Sequence, residues 1–243
     1  MRFLFLASPF VGPGLWRAAT DVANDLGHPG RIVDLRGVVS ARGPDLDEAR
    51  RSVRAALGPT GRPGERDDPG SLILVPHSGA GLLVPWIVDG LDPRPVATVF
   101  VDAGLPDRRT SVEIAAPALR DPLRSQVNQD GLLPPWFGWW GPGALEALVP
   151  DRRRRRSLEA EMPPIPIAYL EASVPVPARW PQVAGAYLGF GDEAYASEIR
   201  RARAWGWPVS VLENARHLHM AVEPERVARE ILSLAEASVR GDR

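Results

Sequence analysis

The sequence predicts an α/β protein built on a mainly parallel, doubly wound sheet, and three observations carry that prediction. Short apolar runs alternate with amphipathic helical runs from the first residues onward, the pattern of βαβ units. The run Leu72-Ile73-Leu74-Val75 has no polar face, as expected of a strand covered on both sides of a sheet. The chain has 243 residues, 44% hydrophobic and 24% charged, enough for one large domain with a full core or for two small ones.

Taken in order, Phe3 to Leu6 form the first strand, and Ser8-Pro9-Phe10-Val11-Gly12-Pro13-Gly14 is too rich in Pro and Gly to continue it. Leu15 to Leu26 carry apolar residues at helical spacing and close at Gly27. Arg31 to Gly37 read as a strand ending in a turn. Leu46 to Leu57 read as an amphipathic helix, opened by Asp45 or Asp47 and closed by Gly58. Residues 58–70, rich in Pro, Gly and charge, read as a surface loop. After the Leu72 strand come an apolar helix, Leu82 to Leu91, and a buried strand, Val96 to Val101, that ends at Asp102-Ala103-Gly104.

From about 106 to 164 the alternation stops. Helical patches at Ser111 to Gln129, Gly143 to Leu148 and Arg152 to Glu161 surround a tryptophan-rich link, Leu132 to Gly141. This stretch reads as a helical, Trp-rich insertion within a single domain spanning 1–243. Alternation then resumes with strands at Ile165 to Leu170 and Ala186 to Phe190, and a helix from Ala194 to Trp205. The last strand is Val209 to Leu212, and the closing helix runs from Glu223 to Leu234.

A net charge of −1 provides no field to recruit nucleic acid or an acidic membrane, so the expected partner is a small-molecule substrate. Every basic residue is arginine, which reads as GC-rich coding and a bacterial source. The five consecutive arginines, Arg152 to Arg156, stand beside Asp151, Glu159 and Glu161 and read as a solvated helix face. The absence of cysteine excludes disulfides, a thiol nucleophile and thiolate metal sites. The apolar run after Met1 is too short for a signal peptide and Pro9 ends it; no run is long enough to span a bilayer. A cytoplasmic, soluble protein is expected.

The chemistry centres on Val75-Pro76-His77-Ser78-Gly79-Ala80-Gly81. A strand runs into a tight small-residue turn with serine at its tip, and a helix follows: the context of a nucleophile elbow. Such a turn lifts the hydroxyl clear of the sheet to a helix N-terminus, where the dipole and free N–H groups favour developing negative charge. The usual glycines two residues before and after the serine prevent collisions between strand and helix. Here those positions hold Pro76 and Ala80. Pro76 removes a ladder N–H, which is tolerable only where strand pairing is ending.

This order of elements resembles the α/β-hydrolase superfamily, of the serine hydrolase type, over nearly the whole chain. Three local matches carry the resemblance. Phe5 to Trp16 looks like that family's strand and oxyanion loop, with Ser8-Pro9 in place of the usual His-Gly. Arg31 to Gly37 looks like its next strand with an Asp-Leu-Arg-Gly turn. Arg216-His217-Leu218-His219-Met220-Ala221-Val222-Glu223-Pro224-Glu225 looks like its final histidine motif, whose spacing selects His217 over His219.

The resemblance implies a Ser–acid–His triad in that chain order, with Ser78 as nucleophile and His217 as base. The backbone N–H groups of Gly79 and Phe10 would form the oxyanion hole, since Pro9 has none. For the acid, Asp192 in the turn Gly189-Phe190-Gly191-Asp192 comes first, with Glu193 adjacent. Asp102 is the alternative, and Glu171 a third. His77 reads as packing beside the nucleophile. Trp136, Phe137, Trp139 and Trp140 lie where the family places a lid; they read either as pocket walls for an apolar or aromatic substrate or as the lid's own small core. The implied activity is cleavage of a small carboxylic ester or thioester, for which no metal or cofactor is needed. The alternatives are a lyase or cyclase on the same fold, and a ligand-binding relative without turnover.

Overall fold

The apolar runs become six strands of one parallel sheet in the computed structural model, which describes residues 1–58, 71–107, 109–180, 184–191 and 194–241. They are β1 (Arg2–Leu6), β2 (Gly30–Val33), β3 (Leu72–Ser78), β4 (Ala97–Ala103), β5 (Ala184–Phe190) and β6 (Val209–Leu212). Their order across the sheet is β6-β5-β4-β3-β1-β2, and every neighbouring pair is parallel. β3 and β4, at the centre, are buried along their whole length, which explains why neither shows a polar face in sequence.

Helices flank the sheet. They are α1 (Arg17–Asp25), α2 (Leu46–Leu57), α3 (Val84–Asp89), α4 (Pro117–Leu123), α5 (Ala144–Leu148), α6 (Arg152–Glu159), α7 (Ile167–Leu170), α8 (Ala196–Ala204) and α9 (Pro224–Gly241). α1 packs on α9, and α2 packs on α3. Of the two aspartates that could open α2, Asp45 is the cap: its carboxylate accepts the Glu48 N–H at 2.9 Å. No helix among the described residues is long and apolar enough to cross a membrane.

The strand that ends in a turn over Arg31 to Gly37 is formed: its extended part closes at Val33, and the Asp34 carboxylate accepts the Arg36 N–H (3.0 Å) and guanidinium and turns the chain into a 3-10 helix, Arg36–Val38. Two other sequence expectations are corrected. The helix expected from Ser111 begins only at Pro117, which stands in the first turn where its missing N–H is harmless. Ser111–Glu113 instead pair antiparallel with Ser173–Pro175. Of the strand expected over Ile165 to Leu170, only Ile165–Pro166 are extended, paired with Leu132–Leu133; the rest is α7. Most of the expected loop, residues 59–70, lies outside the described residues.

The stretch between β4 and β5 is tied to the sheet body by polar anchors. Glu161 accepts from the Gly14 N–H and from Arg17, each at 2.6 Å, and its carbonyl accepts from Arg36 at 3.1 Å. In α6, capped by Asp151, Arg154 donates to the Ala221 carbonyl and Arg155 to those of Val149 and Pro150. Two of the five arginines are thus structural ties rather than members of a purely solvated face.

Candidate active site

The strand order locates the site. β2 lies on one side of β1, and β3 to β6 lie on the other, so the direction of winding reverses between β1 and β3. Loops leaving two such strands part from one another and open a crevice at their C-terminal ends. The loop Ser8 to Gly12 leaves β1, and the Ser78 turn leaves β3. The register Leu6↔Pro76 sets those ends side by side. Pro76 therefore faces the last residue of β1, where pairing is ending, and the pairing of β3 with β4 shifts register at His77/Ser78.

Ser78 has φ 56 and ψ −131, a conformation that side-chain-bearing residues rarely adopt, and a 3-10 helix, Gly79–Leu83, starts directly after it. The elbow expected from sequence is formed. The close approach for which the family uses its second glycine falls one residue later than expected. A Cβ on Gly81 would lie 2.1 Å from the Gly104 carbonyl oxygen, whereas Ala80 is accommodated in the core.

Side chains from two strand ends and from the loop after β6 meet here. His217 Nδ1–H donates to Asp102 Oδ2 at 2.6 Å, which leaves Nε2 as acceptor for the Ser78 hydroxyl at 3.0 Å. The other carboxylate oxygen of Asp102 accepts the Phe190 N–H at 3.1 Å, so both are engaged. Asp102 is 2% exposed and sits at φ 41, a left-handed conformation that Asp tolerates better than most residues. The Tyr187 hydroxyl braces the next residue: it donates to the Ala103 carbonyl (2.7 Å) and accepts the Ala103 N–H (3.0 Å).

Asp192, ranked first for the acid, lies outside the described residues, as does Glu193. The carboxylate on Nδ1 is that of Asp102. By strand order Asp102 has a longer reach to a histidine that follows β6, because β5 lies between. The loop removes that distance. It turns at Asn214 (φ 61), and the His217 carbonyl accepts from His77 Nε2–H on β3 at 2.9 Å, so His217 is carried back across the end of β5. Glu171 is engaged elsewhere, in an ion pair with Arg124 at 2.6 Å. His219 is likewise off the relay, paired with Glu223 at 3.1 Å.

His77 does more than fill space. Its ring lies 4.6 Å from that of His217, and its Nδ1 is buried without a hydrogen-bond partner. Burial, with the adjacent His217 adding to it, holds its pKa well below the ordinary histidine value, so His77 stays neutral.

Of the expected oxyanion donors, Gly79 is the first residue of its 3-10 helix, a position whose N–H has no acceptor within the helix. The Phe10 N–H lies 3.4 Å from Ser8 Oγ, at the long end of hydrogen bonding. The four aromatics between Trp136 and Trp140 divide. Trp136 stands 5.6 Å, ring to ring, from His217, and Trp139 stands 5.5 Å from Phe10, with its indole N–H on the Pro134 carbonyl. Trp140 contacts both tryptophans but is half exposed, and Phe137 packs against the core from a half-buried position. Two residues the sequence reading missed also belong to the surroundings: Tyr169, 5.6 Å from Phe10, and Tyr195, stacked on His217. Neither has a local sequence signal, since each arrives from a separate segment. Among the described residues no group of three His, Asp or Glu side chains is arranged to hold a metal ion.

No family model matches the chain, and no curated protein matches it in sequence. Solved structures do. An extracellular α/β-hydrolase from Paenibacillus, described as structurally and functionally homologous to tobacco salicylic acid binding protein 2, matches at TM-score 0.67 with 17% identity, covering 97% of this chain and 98% of its own. Polyneuridine aldehyde esterase matches at 0.65 with 15% identity, over 96% and 98%. Tomato methylketone synthase I, as a variant complexed with β-ketoheptanoate, matches at 0.64 with 15% identity, over 97% of both chains. At these identities the likeness shows the fold: the chain has the α/β-hydrolase fold.

Proposed function

We propose that the protein is a serine hydrolase that cleaves a small apolar or aromatic carboxylic ester or thioester, with Ser78, His217 and Asp102 as its triad. The observation that carries this reading is the unbroken relay from Ser78 Oγ through both ring nitrogens of His217 to Asp102, mounted on a strained strand-to-helix turn. In it, Ser78 Oγ attacks the carbonyl carbon while its proton passes to His217 Nε2; the imidazolium then protonates the leaving group, and water repeats the sequence on the acyl-enzyme. Asp102 holds the tautomer and stabilises the imidazolium. The Gly79 and Phe10 N–H groups receive the oxyanion, each such donor supplying about 3 kcal/mol to the transition state.

In the same reading the chain is a single cytoplasmic domain in which 106–164 acts as a lid. The Trp136 and Trp139 rings beside His217 and Phe10 favour an apolar or aromatic acyl or alcohol group. The test is a fluorophosphonate probe with mass-spectrometric mapping, followed by a panel of nitrophenyl esters. Stoichiometric adduct on Ser78 and ester turnover, both lost in Ser78→Ala, are expected; folded protein that leaves Ser78 unlabelled rejects the reading. One observation favours a second reading, non-hydrolytic chemistry on a β-keto acid: a neighbour in fold is a methylketone synthase. Labelling of Ser78 without turnover of any ester would point there.

A further inference from the structure

Ser78 and His217 are joined twice. The direct join is the hydrogen bond between Ser78 Oγ and His217 Nε2, at 3.0 Å. The second runs through His77, the residue before the nucleophile: its Nε2–H donates to the His217 backbone carbonyl at 2.9 Å. These two hydrogen bonds and the His77–Ser78 peptide close a ring. Through it, β3 holds the base by its backbone as well as by its reacting nitrogen.

The second join falls where the sheet gives least support. His77 pairs with Val101 and Ser78 with Ala103, so Asp102 is the extra residue of a bulge in β4. The bulge frees Asp102 to reach His217 Nδ1, and it interrupts the ladder beside the nucleophile. His217 stands on the loop after β6, with β5 between that strand and β4. The His77 hydrogen bond ties the two together where the ladder does not.

The chemistry of His77 argues against mere filling. A carbonyl can only accept, so the proton of the neutral ring is on Nε2. Its Nδ1 is then a bare acceptor, buried and without a hydrogen-bond partner among the described residues. Leaving such a nitrogen unpaired is unfavourable, and a phenyl ring in the same space would avoid it. What the imidazole adds over that ring is the one N–H on His217. Its orientation is fixed by an edge-on contact with Trp16, centroids 6.1 Å apart and planes at 88°.

We propose that His77 is a positioning residue for the reaction, holding the His217 backbone so that Nε2 stays aligned on Ser78 Oγ while the serine proton is transferred. The proton passes from Oγ to Nε2 and then to the leaving group. His77, fully buried with its Nε2–H committed, gains and loses none.

The proposal rests on Ser78 and His217 acting as in the hydrolase reading, and the experiment separates the two. Wild type, His77→Phe and His77→Gln are treated with the same fluorophosphonate, and the rate constant of Ser78 phosphonylation is measured beside the thermal midpoint. Values of kcat and KM are taken on the best nitrophenyl ester. Phe keeps a flat ring and loses the donor; Gln loses the ring and keeps an N–H at similar reach. Phosphonylation and kcat about tenfold slower in His77→Phe, with KM within about twofold, are expected for one positioning hydrogen bond lost. His77→Gln should recover most of the rate. A role confined to stability would move the midpoint and leave the rate constants unchanged. That result, or a His77→Gln protein as slow as His77→Phe, would overturn the role of His77 and leave the hydrolase reading standing. A wild type that does not react at Ser78 would overturn the hydrolase reading and the proposal with it.

Discussion

The sheet body and the stretch between β4 and β5 are held together by different physics. In the body, periodicity suffices. β1, β3, β4 and β6 form where apolar runs mark them, α2 occupies the same residues its amphipathic pattern marks, and α9 continues its pattern to Gly241. Between β4 and β5, α4, α5 and α6 have eight residues or fewer, below the length at which an isolated helix is stable. That stretch is placed by scattered buried side chains such as Leu133, Leu145 and Leu158 and by single polar anchors: Glu161 on Gly14 and Arg17, and Arg154 on Ala221. The lesson is a division of labour. Ser78 and Asp102 stand on strand ends of the body, where a packed sheet fixes them, and the loosely patterned stretch brings the Trp136 and Trp139 rings beside His217 and Phe10.

If that division is right, damage to the two regions should differ in kind. The largest effect belongs to the body: Asp102→Asn should lower kcat by about 10³- to 10⁴-fold by favouring the wrong His217 tautomer, while the fold persists. Asp192→Asn should stay within a few-fold of wild type. Steady-state kinetics on the best nitrophenyl ester decide, and the reverse ranking would return the acid to the turn after β5.

An intermediate effect belongs to the aromatic walls. Trp136→Leu should change kcat/KM by about tenfold and shift substrate preference, because its ring stands against His217. Trp140→Leu, at a half-exposed ring, should change it less than twofold. Rates per phosphonylatable site remove any loss of folded protein from the comparison. Equal effects at both positions would mean that the cluster serves only its own packing.

The smallest effect is on stability and returns to the body. His77 resists protonation when folded, whereas an unfolded histidine titrates near pH 6.5. As pH falls below about 6.5, the unfolded chain takes up a proton that the folded chain does not. Stability contributed by the neutral His77 is therefore present above that pH and declines on acidification, at up to about 1.4 kcal/mol per pH unit. Denaturant titrations of wild type and His77→Phe between pH 7.5 and 5 should show their stability difference change along that slope. A constant difference would contradict a buried, neutral His77.

Legibility follows the same line as the comparison. Ser78 was readable because an elbow is local: strand, small residues and helix are adjacent in the chain. His217 was readable from its distance to Pro224-Glu225. Asp102 was ranked second because its role depends on a loop that crosses β5, and the ties that bring it across, Asn214 at φ 61 and the His77 hydrogen bond, have no signature near Asp102. The same holds for Tyr195, whose ring stacks on that of His217 only after α8 and β5 are packed.

By itself, then, the order of apolar runs determined a parallel α/β sheet, a serine at a strand-to-helix turn and a histidine near the chain's end, since burial and turn chemistry act on neighbours in sequence. The tertiary structure alone decided which carboxylate meets His217, that Gly81 rather than Ala80 takes the close approach to Gly104, and which tryptophans face the site. Those outcomes depend on distances across separate strands, and a few ångströms between loops are set by the packing of the whole sheet.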